Sequence, residues 1–371
     1  METVLFGLFI AYLAFFTLQF IYYGFIFSRF SFAQPQEGTP KSIAVSVIIC
    51  AKNELENLKK NLPHFVSQNY PNYELVLIDD ASSDDSLELL EEYERMYPFI
   101  KLVKVENNEA FWGNKKFALT LGIKAAKNEY LLFTDADCRP NNANWITEMT
   151  AHFTAKKTIV LGYGAYEKIK GSFLNKIIRY ETAITAIQYF SWAKLGKPYM
   201  GVGRNLAYKK SEFFNVRGFM DHMKIRSGDD DLFINQAANA QNTTINFNSE
   251  SFTYSEAKKT YRDWFKQKRR HISTSKYYKT FDKLQLATNF VSQFFFLTLA
   301  IVLLAFQYNW ILVTGILGFR YIFNWIIIGY GCSKLKEKDI IFGYPLFELL
   351  LMITQINVFI TNLFSKPVHW K

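Results

Sequence analysis

The 371-residue chain has few of the residues that build disulfide frameworks or zinc sites. Its three cysteines, Cys50, Cys138 and Cys332, have no paired spacing, and its five histidines are scattered along the chain. The sequence therefore indicates neither a disulfide-stapled secreted domain nor a structural zinc site. Unpaired cysteines are typical of a reducing, cytosolic environment.

The chain also lacks the glycine-rich loops of two common nucleotide-binding folds. Residues 51–54 (AKNE) follow the first predicted strand, where G-x-G-x-x-G would stand in a dinucleotide binder, and G-x-x-x-x-G-K-[ST] is absent as well. The net charge of +10 is not arranged in a stripe of alternating basic and aromatic residues. We therefore expect no nucleic-acid partner, because attraction to anionic lipid headgroups explains the charge more simply.

Charge is nearly absent from both ends of the chain. Residues 3–27 carry no charge, and residues 284–330 and 340–364 carry almost none. Runs of this length are long enough to cross ~30 Å of hydrocarbon as helices. We predict a transmembrane anchor over residues 1–28 and a C-terminal membrane region over residues 284–364.

A cleavable signal peptide is the alternative interpretation of the first apolar run, because residues 31–33 (SFA) resemble a cleavage site. The chain begins with Glu2 and no basic residue, and the run is longer than a normal signal core, so the anchor is favoured. Arg29 and Lys41 follow the run. By the positive-inside rule, we expect a multi-pass protein of the cell membrane with a cytoplasmic catalytic domain.

The C-terminal region contains three apolar segments. Residues 284–306 and 310–330 are predicted to form a helical hairpin, and the lysines that follow mark a cytoplasmic loop. The third segment, 340–364, is interrupted by Pro345 and Glu348. It either crosses the membrane or re-enters it, and a basic tail after it favours re-entry.

Residues 42–275, between the apolar ends, have the pattern of one α/β domain. Predicted strands alternate with predicted helices, which indicates a parallel sheet with right-handed crossovers. The strands are predicted at 43–50, 73–78, 100–105 and 130–134, and the helices at 54–67, 85–96 and 115–126.

Polar and acidic residues follow three of these strands. Asn53 and Glu54 follow the first, Asp79 follows the second, and Asp135 and Asp137 follow the fourth. Open α/β sheets place their ligands at the carboxyl ends of strands, and Mg²⁺ prefers one or two carboxylates plus substrate phosphates. We interpret the set as a nucleoside-diphosphate site with a metal at the fourth strand. A solvated strand end with two acids is the alternative for an isolated D-x-D.

Four motifs in this order within about 90 residues resemble the donor half of the family 2 glycosyltransferases. They are residues 51–54 (AKNE), 79–84 (DDASSD), 113–119 (GNKKFAL) and 135–137 (DAD). The resemblance implies the GT-A fold, a Rossmann-like mixed sheet with helices on both faces, here with transmembrane helices at both ends.

The resemblance also implies roles for single residues at the nucleotide. Asp79 would meet the uracil, with Ala51, Asn53 and Glu54 lining the same pocket. Lys115 would lie near the nucleotide, with the adjacent Lys116 as the alternative. Asp135 and Asp137 would hold Mg²⁺ or Mn²⁺. The chain departs from the family at residue 81, where an alanine stands in place of the usual glycine.

Two later segments extend the resemblance. Residues 228–232 (GDDDL) resemble the Glu-Asp-x-x-Leu motif, although a glycine replaces its glutamate, and imply Asp229 as the catalytic base with Asp230 as the alternative. An acidic cap on a helix N-terminus is the structural alternative for these acids. Residues 267–271 (QKRRH) resemble the Q-x-x-R-W segment, with a histidine in place of tryptophan, and Gln267 and Arg270 would face the departing diphosphate.

Residues 171–195 carry apolar residues at helical spacing with lysines and an arginine at the edges. This pattern fits an interfacial helix near lipid headgroups as well as it fits a helix packed into the core.

Taken together, the sequence predicts a membrane-anchored, inverting, metal-dependent glycosyltransferase that moves a sugar from a UDP-sugar to a lipid or lipid-linked acceptor. A processive polysaccharide synthase of the cellulose, chitin or hyaluronan type is one alternative. A non-catalytic sugar-nucleotide-binding membrane protein is the other.

Overall fold

A seven-stranded mixed sheet forms the centre of the computed structural model, which describes residues 1–106, 115–225 and 227–365. Gly113 and Asn114 of the third motif and the basic tail therefore lie outside the described residues. The strands are β1 Val45–Ala51, β2 Tyr73–Asp79, β3 Ile100–Lys104, β4 Tyr130–Asp135, β5 Cys138–Pro140, β6 Ile159–Leu161, β7 Gly164–Tyr166, β8 Leu206–Lys209, β9 Thr243–Ile245 and β10 Thr253–Ser255.

Helices cover both faces of the sheet and both ends of the chain. They are α1 Glu2–Ile21, a π-helical turn Tyr22–Phe27, α2 Ser28–Ser31, α3 Leu55–Val66, α4 Ser86–Met96, α5 Lys115–Ala125, α6 Trp145–Thr150, α7 Phe173–Lys194, α8 Lys210–Asn215, α9 Asp231–Ala237, α10 Tyr261–Ile272, α11 Thr280–Ala305, α12 Trp310–Lys334 and α13 Tyr344–Phe364, with 3₁₀ turns at Met220–His222, Ser249–Ser251, Ser275–Tyr277 and Lys338–Gly343.

The large sheet has the strand order β3-β2-β1-β4-β8-β6-β9. Strands β1 to β4 pair in parallel, β8 runs antiparallel to both β4 and β6, and β9 is parallel to β6. The predicted α/β fold with a mixed sheet is confirmed. A smaller sheet of order β5-β10-β7 adjoins the point where β4 ends.

Strand β1 is buried on both faces because helices cover both sides of the sheet, which explains its unbroken apolar sequence. Val47 and Ile49 pack with α3 and α6 residues on one face, whereas Ile48 and Cys50 pack with α5 and α7 residues on the other. Helix α5 approaches so closely that a Cβ atom on Gly122 would stand 2.2 Å from the Ile78 side chain. A glycine is needed at position 122 because a side chain would clash with Ile78, and not because the backbone turns there.

Helix α7 packs into the core. Ile178, Ala183 and Phe190 are fully buried, and the helix contacts both the catalytic domain and the membrane helices α2 and α12. Arg179, only 2% exposed, forms ion pairs with Glu337 and Asp339 in the segment that joins α12 to α13. Of the two interpretations of residues 171–195, the core-packed helix is the one that the structure shows.

Four helices are long and apolar enough to cross a membrane: Glu2–Ser31, Thr280–Ala305, Trp310–Lys334 and Lys338–Phe364. The last of them contacts the catalytic domain at several points along its length. Phe347 packs against Phe173 of α7, with ring centroids 5.8 Å apart. Asn362 accepts a hydrogen bond of 2.9 Å from Arg269 of α10. Helix α13 therefore lies against the domain at both of these points.

A buried ion pair joins the membrane helices. Arg320 of α12 binds both carboxylate oxygens of Glu348 on α13, at 2.6 and 2.7 Å, and neither side chain is more than 2% exposed. Gln19 of α1 accepts from Arg320 at 3.0 Å, and Tyr344 donates to Glu348 at 2.9 Å. Because an unpaired charge here would be very costly, the pair fixes the relative position of three helices.

We predict that Glu348→Ala lowers the free energy of unfolding by about 3–5 kcal/mol, since it leaves the Arg320 guanidinium buried without a partner. The double variant Arg320→Met/Glu348→Leu should recover most of that loss. Thermal unfolding in detergent measures both effects. Glu256→Ala, which breaks an exposed pair with Lys60, is the matched control and should cost only ~0–1 kcal/mol. Equal losses for the two single variants would contradict the prediction.

Candidate functional site: a nucleotide-sugar pocket at the strand ends

The candidate site lies where the strand order of the sheet reverses. Strand β1 pairs with β2 on one side and β4 on the other, so that Ala51 lies opposite Asp79 and Cys50 lies opposite Asp135. Asp79 and Asp135 are thus two strands apart, roughly 10 Å. The crevice at such a reversal is the usual ligand site of open α/β sheets, and the sheet places both predicted acids at it.

The first two strand ends are tied together by short polar side chains. The backbone N–H of Asn53 donates to Ser82 Oγ at 3.0 Å, and the side-chain Oδ1 of Asn53 accepts from the backbone N–H of Ser83 at 2.7 Å. Asn53 and Ala81 both adopt left-handed backbone, with φ of 54° and 52°. Alanine at 81 thus occupies a conformation that favours glycine, which explains the usual family residue.

Buried carboxylate oxygens face this pocket. Asp79 Oδ2 accepts from the Ser82 amide at 3.2 Å, whereas its Oδ1 is buried and has no partner among the described residues. Asp80, also buried, lies 3.7 Å from Lys52 Nζ, and burial raises the pKa of its carboxyl. An unsatisfied buried acceptor such as Asp79 Oδ1 suits a ligand N–H donor.

Two further predicted residues are Ala51, which ends β1, and Glu54, which directly precedes α3. The Ala51 carbonyl accepts from the Asp80 amide at 2.8 Å. The Glu54 amide donates to Ser86 Oγ at 3.0 Å, and the Glu54 carboxylate accepts from Asn57. Ala51 contributes through its backbone, and Glu54 lies at the edge of the same pocket.

Asp135, Asp137 and Cys138 form a group with metal-ligand spacing. One potential ligand atom from each lies within 4.8 Å of the others. Burial and the Asp135 charge raise the pKa of the Asp137 carboxyl, so a cation would relieve this repulsion. Burial raises the pKa of the Cys138 thiol, which donates to Asp137 at 3.4 Å. The two carboxylates therefore fit a hard divalent ion, and the protonated sulfur does not.

Lys115 of α5 lies between acids from the two halves of the domain. Its Nζ is 2.6 Å from Asp135 and 3.1 Å from Asp229. Burial opposes the charge on Lys115, but the two carboxylates outweigh burial and raise the pKa of its ammonium group well above the ordinary value. Of the two adjacent lysines, Lys115 is therefore the one that faces the acids.

Lys116 points elsewhere. Its Nζ donates to the carbonyls of His222 and Ile225, each at 2.9 Å, and burial lowers the pKa of this amine to about 8. These two hydrogen bonds hold residues 222 and 225, in the segment that precedes Asp229.

The three consecutive acids have three different environments. Asp229 pairs with Lys115; burial raises its pKa, but this ion pair outweighs burial and holds the pKa below the ordinary value. Asp230 caps α9: its carboxylate accepts from the amides of Gly203 and Asp231, each at 2.7 Å. Asp231 accepts from Thr274 and, at 2.7 Å, from Tyr278. Capping is thus the role of Asp230, and it leaves Asp229 facing the crevice.

Gln267 and Arg270 lie on α10, at the side of the small sheet. Gln267 donates to the Tyr166 hydroxyl at 3.5 Å, and the Tyr166 ring lies 4.3 Å below the Arg204 guanidinium. Arg270 Nε is buried with no partner among the described residues. Within those residues no hydrogen bond or ion pair joins Gln267 or Arg270 to the acidic residues of the crevice.

Sequence reasoning missed Arg204, Thr274 and Tyr278. Arg204 follows a glycine that lies against Asp230, and its carbonyl accepts from Thr134 of β4 at 3.0 Å. The only sequence signal for Arg204 is the glycine-rich segment that precedes it, residues 200–203 (MGVG). Thr274 and Tyr278 are more than 40 residues from the acid they bind, and no local pattern marks them.

The fold is of the α/β class, with buried or half-buried acids grouped around the carboxyl ends of β2 and β4. The family model for glycosyl transferase family 2 matches residues 46–231, half of the chain. The protein belongs to this family and is a glycosyltransferase.

Similarity to individual relatives is shorter. A stretch of 93 residues is 38% identical to the cholesterol galactosyltransferase of Borreliella burgdorferi, and covers 25% of each chain. Another, of 121 residues, is 34% identical to a poly-beta-1,6-N-acetyl-D-glucosamine synthase of Staphylococcus epidermidis, and covers 32% of this chain and 28% of the relative. The matches thus span about a quarter of the length of these relatives.

One solved structure resembles nearly the whole chain. The mannosyltransferase of Pyrobaculum calidifontis, in complex with GDP-Man and Mn²⁺, superposes with a TM-score of 0.59 over 90% of this chain and 98% of the other, at 16% identity. At that identity the likeness establishes the shared fold alone.

Asp230 generates a prediction about pH. Burial, together with Asp229 and Asp231, raises its pKa from 3.8 to about 7. The folded protein therefore holds a proton that the unfolded chain has lost, and stability should fall as pH rises from about 4 to about 7. Thermal unfolding without metal or nucleotide at pH 5 and pH 7.5 measures this fall. In Asp230→Asn the fall should be smaller, and an identical fall in both proteins would contradict the assignment.

Proposed function

We propose that this glycosyltransferase moves a sugar from a UDP-sugar to a lipid or lipid-linked acceptor, with inversion at the anomeric carbon. The observation that carries the proposal is the Lys115 bridge: one ammonium group lies 2.6 Å from Asp135 of the donor half and 3.1 Å from Asp229 of the acceptor half. This closeness supports a base beside a metal-diphosphate site.

Nucleotide binding is assigned to the first two strand ends. Asp79 Oδ1, buried without a partner, accepts the N–H of a uracil ring, and Asn53 and Glu54 lie beside the ribose. Ala51 lines the pocket through its backbone. Carboxylates suit these N–H and O–H donors but repel phosphate, which places the diphosphate farther along the sheet, toward β4.

Asp135 and Asp137 are assigned to a bound Mg²⁺ or Mn²⁺. A divalent ion held by these carboxylates would supply positive charge to neutralise the departing UDP. The two carboxylates supply hard oxygen ligands, and Cys138 keeps Asp137 in place through its thiol hydrogen bond. Lys115 adds a second positive charge beside Asp135, and Gln267 and Arg270 approach from the acceptor side.

Asp229 is assigned as the general base, with Asp230 as the alternative. Asp229 takes the proton of the acceptor hydroxyl as that oxygen attacks the anomeric carbon and the bond from that carbon to UDP breaks. The Lys115 ion pair holds the pKa of this carboxyl below its ordinary value, which keeps Asp229 ionised. Asp230 is less suited because both of its oxygens already accept backbone N–H groups.

Placement at a membrane supports a lipid acceptor. Helices α1, α11 and α12 come from the two ends of the chain and pack against one another as one apolar group, while α13 lies against α7 and α10. We propose that the catalytic domain rests on the cytoplasmic face and that α13 does not cross the bilayer. The similarity to a cholesterol galactosyltransferase favours the same class of acceptor.

We predict that Asp229→Asn lowers turnover by at least ~10²-fold, because the acceptor hydroxyl loses its base. Release of UDP from a UDP-sugar in the presence of membranes measures turnover, and binding of UDP, which does not need the base, should change little. Asp221→Asn, an exposed acid near the same segment, is the matched control. Full turnover in Asp229→Asn would show that the base is another residue.

The acceptor class is tested by the product. Purified enzyme with native lipid extract and a panel of UDP-sugars should yield a single glycolipid with one preferred donor. A chelator should stop the reaction, and added Mn²⁺ or Mg²⁺ should restore it. A ladder of polymers would instead support a polysaccharide synthase, the activity named for the Staphylococcus epidermidis relative. Binding of a UDP-sugar without any transfer would support a non-catalytic role.

A further inference from the structure

The first membrane helix has an unusual ending. A π-helical turn, Tyr22–Phe27, separates α1 from α2, and π-helical turns are rare and frequently mark functional sites. Beside it lies a groove of about 310 Å³, which we call the anchor groove. Its lining residues are Gly24, Phe25, Ser28, Arg29, Phe32 and Ala33.

The anchor groove opens away from the protein core. Residues on the other side of the same segment, such as Phe27 and Phe30, are buried, and Phe30 packs against Phe190 of α7 with ring centroids 5.1 Å apart. Phe25 and Phe32 are exposed by 59% and 52%. The groove therefore faces the surroundings of the membrane helices and not the catalytic crevice.

Glycine at position 24 shapes this groove. A Cβ atom there would stand 3.2 Å from the Phe323 ring of α12, so the glycine allows α12 to pack closely. Phe32 in turn meets the Tyr330 ring, with centroids 5.2 Å apart. The wall of the groove is thus continuous with α12, and its surface is apolar except for Ser28 and Arg29.

Arg29 is an exposed cation without a counter-charge. No carboxylate lies within 4.0 Å of it in the described part of the chain, whereas the buried Arg179 and Arg320 both have one. Arg29 therefore brings to the groove a positive charge that no carboxylate of the described residues neutralises.

We propose that the anchor groove is a binding site for an anionic phospholipid, with Arg29 on the headgroup phosphate and Phe25 and Phe32 against an acyl chain. The site lies at the domain end of a candidate membrane-spanning helix, where headgroups meet the protein. Aromatic side chains and arginine suit that level of a bilayer. The inference uses the proposed membrane placement but not the identity of donor or acceptor.

Lipid binding to the full-length chain in detergent, measured by native mass spectrometry, tests the proposal without donor or turnover. Dioleoyl-phosphatidylglycerol should bind more tightly than dioleoyl-phosphatidylcholine, which has the same acyl chains. Arg29→Gln should weaken phosphatidylglycerol binding about fivefold, the effect of one basic residue at a lipid surface. Lys283→Gln, an exposed lysine at the start of α11, is the matched control and should change nothing.

A second variant tests the groove itself. Ser28→Trp keeps Arg29 but fills the groove, and should lower the binding of both lipids. Equal binding of the two lipids to the unmodified protein would overturn the proposal. Equal effects of Arg29→Gln and Lys283→Gln would also overturn it, because the arginine would then be a general interfacial charge. So would unchanged lipid binding in Ser28→Trp. None of these outcomes bears on the assignment of Asp229 or of the acceptor.

Discussion

The arrangement of the crevice depends on one ammonium group held between two carboxylates. Asp135 ends a strand of the parallel half of the sheet, and Asp229 precedes the helix that packs on the antiparallel half. Two carboxylates at this distance would repel each other without Lys115. Because Lys115 begins helix α5, which packs on β1 and β2, it ties the position of Asp229 to the parallel half of the same sheet.

A second set of charges connects this domain to the membrane helices. Arg179 on α7 is paired with Glu337 and Asp339, and Lys168 adds a bond of 2.8 Å to the same Asp339. At the other end of α13, Arg269 binds Asn362. Both ends of that segment are therefore held by the catalytic domain. Helix α10, which carries Gln267 and Arg270, is thereby tied to α13.

Most of the donor half could be predicted because its information is local. The apolar strands end in acids within one or two residues of the predicted positions, so Asp79 and Asp135 fall at the sheet edge as expected. The helix predicted over residues 54–67 contains Pro63, and a proline can break a helix. Pro63 lies near the end of the helix, where few hydrogen bonds remain to be lost, and α3 continues to Val66.

The burial of α7 could not be predicted, because apolar spacing does not distinguish lipid from protein as the covering surface. Contacts between distant residues decide it. Arg179 is read locally as an edge charge on an interfacial helix, yet its carboxylate partners lie about 160 residues away. A polar residue on an apolar helix therefore has no fixed meaning until its partner is known.

The same limit explains why three identical acids in a row acquire different functions. The local sequence barely distinguishes Asp229, Asp230 and Asp231 as candidates for the base. Tertiary contacts separate them: hydroxyls from the segment after α10 hold Asp231, and an amide from the glycine-rich segment before β8 holds Asp230. Asp229 pairs with the Lys115 ammonium. A carboxylate bound by neutral donors on both oxygens has little capacity left for a further proton, whereas one paired with an ammonium keeps free lone pairs. The tertiary partner, not the position in the motif, thus distinguishes the proposed base from its two neighbours.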